Sequence, residues 1–355
     1  MTNQEKFIEY YKQEKEKLNR IINEYNENIK KDSNDFVREN LSLFSNLNSD
    51  GKLIRGILVN LGYYLLKDNK EYSNYLSLAY EVAQTAILIH DDIIDNDSKR
   101  RGKDTVHYAN YKKYEKYSKE AKHLSESIAI CIGDYGLYDA NRIIAEHYAS
   151  DKNLSKVITN FNNTILTTIK GELIDVILPF QSKFNLIDNK NIEDNIMEIY
   201  KLKTSYYTII GPMSVGIFLA GGTEKMISDI EKFGEKVGIA FQIQDDILGV
   251  FSNEMKKNKD SDIKEFKQTI LYSYIINTDY KDEFMKYYGN EKLKEKDIET
   301  VKEILVKSKA YDYAINMMNK YYDEGIKYLN KISWIKKDKK DLIEGFIEYL
   351  RNRKK

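Results

Sequence analysis

Ala86-Ile87-Leu88-Ile89-His90-Asp91-Asp92-Ile93-Ile94-Asp95 sets three carboxylates inside a run that otherwise reads as the apolar side of a buried helix. On a helix, Asp91 and Asp95 share one face a turn apart, so the two carboxylates can chelate or bridge a hard cation. A single DxxxD spacing usually marks only a solvated face, and the apolar flanks on both sides are what argue against that reading here.

Outward from this stretch the chain is helical in pattern. Residues 1 to 48 repeat apolar positions at three- and four-residue steps, Leu53 to Leu66 is strongly apolar, and helical text runs from Tyr75 to Asp97. Ser98 to Asp104, dense in Lys and Arg, reads as a loop. Further helices are expected over 121–149, 154–178, 191–220, 224–252 and 262–277. Ser252 to Asp262 is the expected mobile loop, and 281–355 reads as peripheral helices with a basic end, Arg351 to Lys355. No linker divides the chain, so the expectation is an all-α, single-domain bundle over 1–355, with its core at about 45–275 and peripheral helices at 1–44 and 276–355.

Composition agrees. A chain of 355 residues, 42% of them hydrophobic, can bury a sizeable core, which excludes disorder. Two prolines and 17 glycines are too few for the turns of a sandwich, a barrel or a series of βαβ units. The 56 basic residues balance the 56 acidic ones, which removes the global electrostatic argument for nucleic acid or an anionic membrane. The one cysteine, Cys131, lies in an apolar run and reads as a buried small hydrophobe. With no basic-then-apolar leader and no transmembrane-length apolar window, the expected location is the cytoplasm.

A second acidic pair decides the chemistry. Phe241-Gln242-Ile243-Gln244-Asp245-Asp246-Ile247-Leu248-Gly249 again buries carboxylates in core-like text. Two such clusters, if they face each other, suit Mg²⁺, which binds a few carboxylates, keeps waters and takes its remaining oxygens from phosphates. The implied substrate is a diphosphate. Lys52 and Arg55 on one helical face, and Arg100-Arg101-Gly102 just after the first cluster, would on their own read as solvated cations. Beside paired acids they read as diphosphate clamps.

These motifs, in this order, resemble the trans-type isoprenyl diphosphate synthases, or polyprenyl synthetases. The match runs through Gly51 to Arg55, His90 to Asp95, Arg100 to Gly102 with Thr105 to His107, Gly133-Asp134, Lys203-Thr204, Phe241-Gln242 with Asp245-Asp246, and Ser261 to Ile263 leading to Lys267-Gln268-Thr269. The resemblance covers about 45–275 and implies a helical bundle around a deep cavity. It also implies a homodimer and head-to-tail condensation of isopentenyl diphosphate with an allylic diphosphate (dimethylallyl, geranyl or farnesyl). It makes Asp91, Asp95 and Asp245 direct Mg²⁺ ligands, supported through water by Asp92 and Asp246, with about three ions per site. Arg100, Lys203 and Lys267 would hold the allylic diphosphate. Lys52, Arg55, Gln84 and Arg101 would hold isopentenyl diphosphate. Gln242, Lys203 and the Thr204 carbonyl would lie near the cation.

The residue types suit such a reaction in their own right. Ionising the allylic C–O bond puts negative charge on a leaving diphosphate, which metal and fixed Lys and Arg donors stabilise. The carbocation left behind needs an apolar, water-free cavity. The family limits product length by bulk beneath the first acidic motif. Ala86 and Ile87 leave that wall open and Tyr80 is the first large ring near it, so products of C20 or longer are expected. Two positions depart from the family pattern: Gly249 stands where many members have a third aspartate, and Phe266 replaces the glycine usual before Lys267.

Other readings fit less well. A class I terpene cyclase would carry an Asn-Asp/Ser/Glu triad in place of the second motif. A His-Asp phosphohydrolase would need histidines before His90, and the sequence has none there. A non-catalytic scaffold, or the regulatory subunit of a heteromeric synthase, would show eroded acid motifs.

Overall fold

The computed structural model describes every residue except 32, 50, 252–260, 291, 354 and 355, with main chain only at 70, 189 and 261. Its helices are α1 (Asn3–Asn28), α2 (Asp35–Asn48), α3 (Ile54–Tyr64), α4 (Asn74–Ile94), α5 (Val106–Tyr114), α6 (Ala121–His147), α7 (Leu154–Lys183) and α8 (Ile192–Ile199). A π-helical segment, Tyr200–Ile210, follows. Then come α9 (Gly211–Leu219), α10 (Glu224–Phe251), α11 (Ser261–Lys264), α12 (Ile270–Ile275), α13 (Lys281–Phe284), α14 (Glu295–Lys307), α15 (Ala310–Lys331) and α16 (Lys337–Arg351). The fold is all-α. Among the described residues, the strands are β1 (Lys99–Arg100) and β2 (Lys103–Asp104), paired antiparallel.

These elements gather into two compact units, each drawn from separated stretches of chain. One comprises Glu9–Phe161 with Pro212–Thr223. Its centre is α4, lined with Leu76, Ala79, Tyr80, Val82, Ala83, Ala86 and Ile89, all buried, and packed along α6 and α3. The approach to α6 is close because position 136 is glycine. A Cβ there would stand 2.9 Å from Ala86 Cβ and 2.7 Å from Phe44 Cε2.

The other unit comprises Met1–Ile8, Asn162–Gly211 and Glu224–Lys355. Its axis is α10, against which α15 and the π-helical segment pack. Tyr322 of α15 is fully buried and donates to Gln244 Oε1 of α10 at 2.8 Å. Phe7 of α1 is buried against Phe346 and Tyr349 of α16, with ring centroids 5.3 and 5.6 Å away.

The structure departs from the sequence expectations in several places. The stretch 98–104 is a hairpin and not an open loop, because Arg101 (φ 54°) and Gly102 (φ 80°) make the left-handed turn that a two-residue hairpin needs. Helix α5 was not anticipated, since Val106-His107-Tyr108-Ala109-Asn110 carries no clear apolar stripe. Cys131 is exposed: the run around it winds about α6, sending Ala129 and Ile132 into the core and Ile130 and Cys131 outward. In the tail, α15 and α16 bury residues such as Ala314, Tyr322, Phe346 and Leu350. Of the Ser252 to Asp262 loop, residues 252–260 lie outside the described residues, as do Lys354 and Lys355 of the basic end.

Candidate active site

The first acidic cluster sits where α4 ends. Asp95 caps the helix, its N–H donating to the Asp91 carbonyl at 2.9 Å. The hairpin then folds Arg100 back over the acids. Its Nε donates to Asp92 Oδ1, and its Nη2 donates to Asp91 Oδ2 at 3.0 Å and to Asp97 Oδ2 at 3.5 Å. Asp92 is fully buried, its Oδ2 has no donor, and burial pushes its carboxyl up to about 7 against the pull of Arg100. Asp91 and Asp95 keep partial exposure. The inner acid therefore belongs to the protein framework, and the outer two face a possible ligand.

In the same unit Glu81 gathers part of the expected isopentenyl pocket. It accepts from the Gly56 N–H at 2.7 Å, and Arg55 and Arg101 lie within electrostatic reach of its carboxylate, which burial pushes up. Arg101 Nη1 also donates to the Leu47 carbonyl at 3.1 Å. Lys52 is exposed, its carbonyl held by the Tyr11 hydroxyl at 2.7 Å. Gln84 is buried and its Oε1 has no donor. The sequence reading missed Glu81, although an acid in Leu78-Ala79-Tyr80-Glu81-Val82-Ala83 carries the same signal as Asp92. Of the expected length-setting residues, Tyr80 lies edge-on to Phe161 at 5.1 Å, Ala86 faces Gly136, and Ile87 is partly exposed.

The second cluster forms on α10 and its neighbours. Asp246 is buried, accepting from the Tyr200 hydroxyl at Oδ2 and from Gln242 Nε2 at Oδ1, the latter at 2.9 Å. Burial pushes its carboxyl up to about 8 despite those donors. The Thr204 hydroxyl donates to Gln242 Oε1 at 2.7 Å, so this chain commits the Gln242 amide to bridging Thr204 and Asp246. Tyr200 also accepts from the Ile270 N–H at 2.9 Å. Asp245 is more open, and Arg353 reaches it through Nη2 while its guanidinium lies 4.4 Å from the centre of the Phe241 ring.

Lys203 is held by Glu172 at 2.7 Å and Asp175 at 2.8 Å, two acids one turn apart on α7. Lys267 lies 3.8 Å from Asp262, and Asp262 fills the space left by Gly249, where a Cβ would be 2.6 Å from its Oδ2. A side chain at position 249 would therefore collide with the Asp262 carboxylate. Sequence reasoning missed Tyr200, Glu172, Asp175 and Arg353. The Glu172/Asp175 pair in helical text was a readable signal, whereas Tyr200 and Arg353 announce themselves only through partners 46 and 108 positions away.

Each cluster has one design: an inner aspartate fixed by protein donors, and an outer aspartate held by a guanidinium where a cation is called for. Among the described residues, no three His, Cys, Asp or Glu side chains converge into an all-protein cage. A hard cation at either cluster would complete its shell with water and ligand oxygens.

The comparisons agree with this chemistry. The polyprenyl synthetase family model matches residues 40–305. A geranylgeranyl diphosphate synthase of Sulfolobus acidocaldarius is 29% identical over 341 residues, covering 94% of this chain and 95% of its own. One from Saccharolobus solfataricus is 27% identical over 350 residues, covering 95% and 97%. In fold, the chain is similar to the crystal structure of a geranylgeranyl pyrophosphate synthase from Corynebacterium glutamicum, complexed with isoprenyl diphosphate and magnesium. The TM-score is 0.85 at 22% identity, covering 97% of this chain and 98% of that one. With a family match over most of its length and the acid clusters in place, the chain belongs to the polyprenyl synthetase family, the trans-isoprenyl diphosphate synthases.

Proposed function

We propose that this protein is a Mg²⁺-dependent prenyltransferase that condenses isopentenyl diphosphate head-to-tail with an allylic diphosphate, giving an all-trans product of C20 or longer. The observation that carries this reading is the repeated cluster design, in which Asp91 and Asp245 each meet a guanidinium beside a buried, protein-bound second aspartate. Asp91, Asp95 and Asp245 would hold the metal directly, with Asp92 and Asp246 fixing their surroundings. When bound, Mg²⁺ supplies Lewis-acid neutralisation of charge growing on the leaving diphosphate.

The chain's own residues do the rest. Arg100, Lys203 and Lys267 bind the allylic diphosphate as fixed cationic donors, and their ion pairs to Asp91, Asp175 and Asp262 keep them in place before substrate arrives. Arg55 and Arg101, with Lys52 and Gln84, bind isopentenyl diphosphate, and Glu81 lies within electrostatic reach of both arginines. The Thr204 carbonyl faces the developing cation. The expected assembly is a homodimer in the cytoplasm with several Mg²⁺ per active site. The exposed Leu124, Ile130 and Tyr138 on α6 support a second copy, and among the described residues no helix is long and apolar enough to cross a membrane.

The test is to supply purified protein with Mg²⁺, isopentenyl diphosphate and each of the dimethylallyl, geranyl and farnesyl diphosphates, and to identify the products by mass. A C20 or longer diphosphate is expected. Asp91→Ala and Asp245→Ala should each lose at least about a hundredfold in turnover while keeping the helical circular dichroism of the parent. Near-normal rates in either variant would remove that aspartate from the site.

A further inference from the structure

Phe266 occupies a conformation that its side chain disfavours. Its φ is 60°, in the left-handed region where glycine is at ease and a bulky residue is not. Such a residue persists only where its surroundings over-determine it. Here they do so from several sides. The Phe266 ring meets Tyr272 edge-on at 5.4 Å and Tyr288 at 5.7 Å. Those two tyrosines stack on each other at 5.5 Å, and Tyr288 stacks on the fully buried Phe284 at 4.5 Å. Position 289 is glycine at φ 80°, and a Cβ there would stand 2.8 Å from Phe266 Cδ2, so the ring fits because that side chain is missing.

The same two neighbours also grip the main chain on either side of Phe266. The Gly289 N–H donates to the Ile263 carbonyl at 2.8 Å, and the Tyr288 hydroxyl donates to the Lys267 carbonyl at 2.5 Å. Within the turn, the Lys267 N–H donates to the Asp262 carbonyl at 3.0 Å. Residues 263 to 267 are bracketed at both ends with the Phe266 ring pinned between, and Asp262 and Lys267 stand at the two ends of this turn.

We infer that Phe266, Tyr288 and Gly289 form an aromatic clamp that fixes the direction of Lys267 toward the allylic diphosphate, with Phe266 as a positioning residue. The clamp replaces the freedom of a glycine with a strained but locked turn. The link to substrate rests on the role proposed above for Lys267, and the lock itself does not.

The experiment uses the full-length protein with Phe266→Gly, Phe266→Ala, Phe266→Tyr and Tyr288→Phe. Amide hydrogen exchange over 262–270 reads the lock, and steady-state kinetics with each diphosphate reads its use. Phe266→Gly and Phe266→Ala should speed exchange and raise the KM for the allylic substrate, each about tenfold. The KM for isopentenyl diphosphate should stay within about twofold. Phe266→Tyr, which keeps the ring, should restore both readouts. Tyr288→Phe loses only the hydroxyl and should move both the same way by about threefold, which keeps the test open if the smaller residues at 266 fold poorly. Unchanged exchange in Phe266→Gly would overturn the clamp. Faster exchange with an unchanged allylic KM would overturn the positioning role of Phe266 while leaving the lock, and the role proposed above for Lys267, intact.

Discussion

Asp92 and Asp246 titrate far above their ordinary 3.8, at about 7 and about 8, because burial penalises their charge more than Arg100, or Tyr200 and Gln242, can offset. The sign of the consequence follows. Between about pH 4 and 8 the folded protein holds protons at these sites that the unfolded chain has released, so stability is greatest below that window and falls as pH rises through it. Thermal melts of metal-free protein should therefore show the melting temperature declining from pH 5 to pH 8, and Asp246→Asn should flatten the slope. Added Mg²⁺ favours the ionised clusters and should raise the melting temperature more at pH 8 than at pH 5. The aspartates were legible because an acid in apolar helical text is conspicuous. Arg353 was not, since a basic residue in a basic tail carries no mark of its partner. If its guanidinium holds the place of a cation at Asp245, Arg353→Ala should lower the Mg²⁺ concentration for half-maximal rate by a few-fold, measured by metal titration.

Helix α4 carries both the first cluster and the residues proposed to set product length, Tyr80, Ala86 and Ile87. On the sequence alone, Ala86 and Ile87 are equivalent openings, but in the structure they differ. Ala86 is fully buried and its Cβ is already close to the place a side chain at Gly136 would occupy, whereas Ile87 is partly exposed. Ala86→Phe should therefore strain the α4 and α6 packing, lowering stability by about 1–3 kcal/mol in denaturant titrations. Ile87→Phe should fold normally and shift products toward C15 by mass analysis. Periodicity located the long helices because their faces are strongly two-sided. It overlooked α5, which has no such stripe, and misjudged Cys131, because five consecutive apolar residues must wind around more than one face. The π-helical turn at 200–210 was equally invisible, since it is a matter of register and not of composition.

At the scale of the molecule, the helical class was readable from scarce prolines and glycines, but the partition of the chain was not, because each compact unit takes residues from distant stretches. The terminal segments 1–44 and 276–355 read as peripheral helices, and within the first of them Phe7 is as buried as any core residue. Phe7→Ala should cost about 3–5 kcal/mol in a denaturant melt, a loss that a merely peripheral helix would not show. The pairing of Phe7 with Phe346 also has a meaning in time. A ribosome releases Phe7 among the first residues and reaches Phe346 only 339 residues later (346 − 7), roughly 20–70 s at ordinary synthesis rates. Throughout that interval Phe7 lacks the two α16 rings it packs on, while Glu9–Phe161 and Pro212–Thr223 have all emerged well before α16. The contact between the two ends of the chain can therefore form only when synthesis is nearly finished. Ribosome-bound chains arrested before α16 should leave the Phe7 end open to chaperones and proteases, and full-length chains should shield it.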